Sequence, residues 1–293
     1  MLVLPVFPQD EPPPSAGDTS EDIVRVLSAE VRKKAEQGDI SAQHTLGSLY
    51  ELGMGVPQDY REAIRWYSAA AEQGDVNAQY KLGSMYYDGE GVSQDYKEAA
   101  KWLREAAEQG KASAQFGLGF MYYDGLGVPQ DYKEAARWYL AAAEQGDMTA
   151  QHNLGLLYDE GEGVPQDFKE AVRWYRAAAE QGFAPAQFNL GLKYKAGKGV
   201  PQDYQEAFRW YLSAAEQGDA DAQNNLGVMY RNGQGVPQDF IQAHLWCNLA
   251  ASHGGDDERE KAARNRDLLA EKMTSEQIAE AQRLAREWKP KTR

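Results

Sequence analysis

With 293 residues, 45 acidic against 31 basic side chains and a formal charge of −14, the chain repels phosphate backbones and acidic lipid surfaces, which excludes nucleic acid as an expected partner. Its single cysteine, Cys247, excludes an intramolecular disulfide. No apolar run approaches the roughly 20 residues of a membrane helix, so no membrane insertion is expected.

The opening residues MLVLPVFPQD lack a basic n-region and contain two prolines, so they make no complete signal peptide, although they could be the stub of a longer one. The compartment, cytoplasmic or periplasmic, stays open. Residues 1–19, with the stretch PQDEPPPSAGDT, read as a disordered tail. Residues 20–38 end in KKAEQG and read as an N-terminal capping helix in which Glu30 and Lys34 stand at positions that later become tryptophan and alanine.

Residues 39–254 then divide into six repeats. The hexapeptide GVPQDY begins at Gly55, Gly127 and Gly199, with the variants GVSQDY at Gly91 and GVPQDF at Gly163 and Gly235, a constant spacing of 36 residues without insertion. Ala42, Leu46, Leu49 and Tyr50 mark one buried face of a first helix in each repeat, and Ala63, Trp66, Tyr67 and Ala70 one face of a second. Gly53 stops the first helix and Gly55 permits a second sharp turn. Pro57 blocks continuation, and Asp59 with Glu62 predicts an N-cap and capping box for the second helix. The hexapeptide is therefore an elbow between paired helices. It lacks the lysine and preceding strand of a phosphate loop, and the recurring EQG reads as a second helix stop.

Tryptophans 66, 102, 138, 174, 210 and 246 recur on the inner face of the second helix, where they serve as core. Glycines 47, 83, 119, 155, 191 and 227 interrupt the first helix at a propensity cost near 1 kcal/mol, which predicts close helix contact. Residues 255–293 read as two charged C-terminal capping helices, the latter opened by a Thr274–Gln277 capping box.

Enzyme chemistry finds little support. His44, His152, His244 and His253 show no metal-ligand spacing. Cys247 replaces a packing tyrosine and reads as buried. The acidic series Asp88, Asp124 and Glu160 reads as solvated charge, since neighbouring helix axes lie about 8–10 Å apart. No metal or cofactor is expected.

The repeated A-Q-x-x-L-G-x-x-Y-x-x-G-x-G-V-P-Q-D-Y-x-E-A-x-x-W-Y-x-x-A-A-E-Q-G over residues 39–254 resembles the Sel1-like repeat, a relative of the tetratricopeptide repeat of bacterial type. The resemblance implies an all-α, right-handed α-solenoid that acts as an adaptor or scaffold, expected here as a monomer. One branch, the cysteine-rich proteins reported to bind β-lactams, carries a cysteine pair in each repeat and this chain does not. A β-lactam-interacting, hydrolase-like member and an array without a dedicated ligand are the alternative readings.

In such a solenoid the first helices line the concave surface, so the variable positions beside the A/L/Y stripe are the candidate contacts for an extended or helical peptide. They are Tyr80, Phe116 and His152 in one position; Phe120 one turn on; Tyr87, Tyr123, Asp159, Lys195 and Arg231 in the next; and Asp88, Asp124 and Glu160 beside those. Aromatics ringed by acid in the second and third repeats give way to Lys193, Lys195, Lys198 and Arg231 in the fifth and sixth.

Overall fold

The computed structural model describes residues 20–291, so the expected tail at 1–19 lies outside the described residues. Among the described residues there are fifteen helices and no strand. α1 (Ser20–Glu36) precedes six pairs: α2 (Ile40–Leu52) with α3 (Tyr60–Glu72), α4 (Val76–Asp88) with α5 (Tyr96–Glu108), α6 (Ala112–Asp124) with α7 (Tyr132–Glu144), α8 (Met148–Glu160) with α9 (Phe168–Glu180), α10 (Ala184–Ala196) with α11 (Tyr204–Ala215), and α12 (Ala220–Asn232) with α13 (Phe240–His253). α14 (Asp256–Ala270) and α15 (Ser275–Glu287) close the chain. The architecture is all-α, made of consecutive helix-turn-helix pairs.

The turn residues that recur from repeat to repeat satisfy backbone groups that helix ends leave open. The aspartate that follows EQG caps the first helix: Asp39, Asp75, Asp147 and Asp219 accept from the amides of Ala42, Ala78, Ala150 and Ala222 at 2.7–2.8 Å. Gly53, at φ 68°, ends α2 in the left-handed region, and its equivalents end the other first helices in the same way. The glutamine of the elbow then turns back, its amide donating to the carbonyl of Glu51, Tyr87, Tyr123, Asp159, Lys195 or Arg231 at 2.7–2.9 Å. Asp59 and its counterparts in the next four repeats accept two amides of the second helix, from Arg61 and Glu62 in the first case, and Asp239 accepts one, from Gln242. The expected reciprocal bond from Glu62 is replaced by a salt bridge to Arg65 at 3.4 Å. The full capping box forms at Thr274 and Gln277.

The chain divides into two compact units, one reaching Ala114 and including Leu126–Val128, the other comprising Gln115–Gly125 and the chain from Pro129 onwards. In the first, Leu46, Tyr67, Leu82, Trp66 and Trp102 share a core. In the second, Leu154, Tyr139 and Trp174 pack together, followed by Leu190 with Tyr175 and Leu226 with Tyr211. The mid-helix glycines allow these tyrosines in. A Cβ on Gly155 would lie 2.7 Å from Tyr175 Cδ1, well inside contact distance.

A buried polar ladder runs beside this core. Gln79 donates to the Ala71 carbonyl at 3.2 Å and accepts from Gln109 at 2.7 Å. The same amide-to-amide bond joins Gln73 to Gln43, Gln145 to Gln115, Gln181 to Gln151 and Gln217 to Gln187 at 2.7–2.8 Å. The glutamine of EQG is thus a donor to the glutamine of AQ, as well as part of a helix end. The series stops at Gln223, whose Oε1 is buried without a partner because the residue in register is His253 rather than glutamine.

The end of the array is written in one substitution. In the first four repeats a cation precedes the tryptophan and lies over its ring, as Arg173 does over Trp174 at 4.7 Å, and the fifth keeps Arg209 at that position. The sixth repeat has Leu245, 7% exposed, and α15 covers it, bringing Trp288 to 6.2 Å from Trp246 edge-on. Beyond α15, Lys291 ties back to the Glu216 carbonyl at 2.8 Å and to its carboxylate at 2.7 Å.

Candidate functional site

The variable positions of the first helices fall into three environments. The aromatic one residue after the ladder glutamine is half-buried and rests on the tyrosine of the second helix. Phe116 stacks on Tyr139 at 5.9 Å, and His152 lies 5.7 Å from Tyr175 and 5.3 Å from Phe183. Tyr80, whose repeat has Leu103 in place of that tyrosine, instead lies under Lys111 at 5.3 Å. Phe120, also half-buried, packs against the core around Leu154.

Burial pushes the His152 imidazole down to about 4, so it is neutral at pH 7, and its Nδ1 has no partner. Below pH 6.5 the unfolded chain takes up this proton while the folded chain resists it, so the stability present above 6.5 falls as pH drops toward 4. His152→Phe, which copies Phe116 and Phe188, removes that sensitivity. Urea unfolding at pH 7 and pH 5 should show the variant losing about 1–2 kcal/mol less than the parent on acidification.

The second environment is at the C-terminal end of each first helix. Tyr87 and Tyr123 are half-buried, their rings 5.3 Å from Tyr96 and 5.2 Å from Tyr132, with Asp88 and Asp124 exposed beside them. Burial, then the Glu162 and Glu160 carboxylates, raises the Tyr123 hydroxyl above its usual range. Glu160 itself is exposed.

The third environment corrects the expected charge pattern. Asp159, expected as a partner contact, is engaged within the chain: Lys193 of the next repeat ion-pairs with both its oxygens, and the Tyr175 hydroxyl donates to it at 3.4 Å. Lys193 is correspondingly no free cation. It is 9% exposed and occupies a position that is Leu49, Met85, Met121, Leu157 or Met229 in the other repeats. Glu51 is likewise engaged, by Lys81 at 2.7 Å and the Tyr67 hydroxyl at 2.5 Å. Lys195 and Arg231 keep their charges clear of carboxylates, Lys195 donating to Asn225 Oδ1 at 3.1 Å and Arg231 Nε to Asn232 Oδ1 at 3.3 Å.

Cys247 is fully buried, and burial pushes its thiol up to about 12, so it holds its proton at neutral pH. Among the described residues no group of three or more His, Cys, Asp or Glu is placed to hold a metal ion. Among them, too, no helix is long and apolar enough to cross a membrane.

The Sel1 repeat model matches residues 40–75, 76–111, 112–147, 149–183, 184–219 and 220–255. The chain belongs to the Sel1 repeat family. The crystal structure of a Sel1 repeat protein from Oxalobacter formigenes is 35% identical with a TM-score of 0.64, the match covering 80% of this chain and 97% of that one. The structure of c5321, a protective antigen of uropathogenic Escherichia coli with an SLR fold, is 33% identical with a TM-score of 0.40, covering 90% of this chain and 72% of the other. A Klebsiella pneumoniae sel1 repeat protein is 24% identical with a TM-score of 0.42, covering 69% of this chain and 98% of that one. No curated protein matches the chain. Sel1 repeat proteins are solenoids that generally act as protein-interaction scaffolds and are typically non-catalytic.

Proposed function

We propose that this chain is a non-catalytic scaffold that binds an extended or helical segment of another protein along its first helices. The observation that carries the reading is the split between the two helix faces. On the second helices of the first four repeats the cation before the tryptophan is committed to that ring and to a glutamate one turn back, as Arg137 is to Trp138 at 4.9 Å and Glu134 at 3.2 Å. That surface repeats nearly unchanged from unit to unit and carries little information. The first helices change from repeat to repeat, and their half-buried tyrosines beside exposed acids combine a fixed apolar face with a polar rim, the composition favoured at interface hot spots. A preformed surface of this kind orders a flexible segment at reduced entropic cost.

A photo-crosslinking amino acid placed at Tyr123, compared with the same amino acid at the exposed second-helix position Arg137, tests the reading in lysate of the source organism. A discrete protein adduct from position 123 and none from 137 is the expected result. Adducts from 137 alone, or equal adducts from both, would move recognition off the first helices.

A further inference from the structure

We propose that Lys195, Arg231 and Lys261 form a recognition site for an acidic peptide segment, with Asn225 as a neutral hydrogen-bonding neighbour. The three cations come from α10, α12 and α14, all within the second compact unit. The inference takes its partner class from the scaffold reading and its location from the following geometry.

The positions are in register. In the first compact unit, Glu51 near the end of one first helix meets Lys81, thirty residues on, in an ion pair of 2.7 Å. Near the end of α10 the same relation places Lys195 against Asn225, its ammonium 3.1 Å from the amide oxygen. One step further it relates Arg231 to Lys261. Where Glu51 and Lys81 neutralise each other, Lys195 meets an amide, and the corresponding offset from Arg231 falls on a second cation, Lys261.

The charges are uncompensated from within. Lys195 is half-buried, and its ammonium is destabilised first by burial and then by the charge of Lys261. Among the described residues neither lysine nor Arg231 forms an ion pair, whereas nearby Arg266 is held by Asp267 at 2.8 Å. Arg231 uses only Nε internally, which leaves both terminal nitrogens for a bidentate carboxylate. Asn225 donates to the Asp221 carbonyl at 2.9 Å, so its oxygen is fixed toward Lys195.

A chain of net charge −14 that carries unpaired cations on α10, α12 and α14 is arranged for an anion. The same overall charge opposes a phosphate polymer. Successive helices lie about 8–10 Å apart, and an extended peptide rises about 3.3 Å per residue, so acidic residues every third position would meet successive helices.

Fluorescence anisotropy of a labelled peptide repeating Glu-Gly-Ser, with a Gln-Gly-Ser peptide as control, is measured against the full chain. The expected result is binding of the glutamate peptide alone, weakened by salt. Lys195→Ser with Lys261→Ser should raise its Kd about tenfold or more, and Arg137→Ser should leave it unchanged. Circular dichroism checks the double variant, and the exposed Lys261→Ser alone serves if the double variant is not folded. No preference for glutamate over glutamine, undiminished binding by the lysine variants, or displacement by millimolar inorganic phosphate would overturn the proposal. A Tyr123 adduct combined with no glutamate binding would sink this site while leaving the scaffold reading standing. Glutamate binding without an adduct from position 123 would keep this site and move recognition away from the third repeat.

Discussion

Gly163→Ala should destabilise the second compact unit by about 4 kcal/mol or more, while Gly146→Ala should cost only about 1–2 kcal/mol. Both glycines have positive φ, 69° and 92°, so each alanine carries the same kind of left-handed backbone penalty. They differ in what surrounds them. A Cβ on Gly146 meets nothing within 4 Å, whereas one on Gly163 falls 2.2 Å from the Tyr132 carbonyl oxygen and 2.3 Å from its carbon. Those atoms are backbone at the start of α7, so no rotamer change can clear the clash and the elbow must lift from the preceding repeat. Urea unfolding gives the two costs, and amide exchange localises them: Gly163→Ala should raise exchange in α7 and α9, and Gly146→Ala should not. Equal costs would mean that the elbow glycine is needed for its own turn alone. Because each repeat leans on its neighbours, a lifted elbow also weakens the junctions beside it.

That contrast explains why the elbow was legible from the sequence while its second duty was not. Glycine, proline and aspartate at fixed offsets report requirements that are local: a left-handed stop, a blocked amide, an N-cap. The contact between Gly163 and Tyr132 joins residues of different repeats, and nothing near either one announces it. The glutamine ladder is hidden for the same reason, since Gln145 and Gln115 meet across 30 residues and a glutamine beside alanine reads as a solvent-facing choice. Its constancy at every repeat was the available signal. The candidate contacts were legible as positions, because helical periodicity places them, but not as charges. Lys193 reads as a groove cation until its position is compared with Leu49, Met85, Met121, Leu157 and Met229, after which a buried role with an acidic partner follows. Leu245 in place of an arginine or lysine likewise marked the surface that α15 covers.

The buried pair itself gives the second large effect. Asp159→Ala should cost about 3–5 kcal/mol, because it leaves the Lys193 ammonium in a site where water cannot replace the lost carboxylate. The side chains are 11% and 19% exposed for Lys193 and Asp159 respectively, and the remaining surroundings of the ammonium include the Phe168 ring at 5.3 Å. Adding Lys193→Met to Asp159→Ala should restore most of that loss and bring the chain near its parental stability, since methionine is what the second, third and sixth repeats already carry there. Lys193→Met alone should cost less than Asp159→Ala, because the stranded carboxylate is the more exposed partner and keeps the Tyr175 hydroxyl at 3.4 Å. Urea midpoints of the four proteins close the cycle, and a coupling energy under about 0.5 kcal/mol would show that the pair behaves as a solvated surface bridge. A large coupling would mean that the fourth and fifth repeats are matched by charge as well as by shape. A repeat transplanted into this junction would then need its acid and its lysine together, and that pairing fixes the order of otherwise interchangeable units.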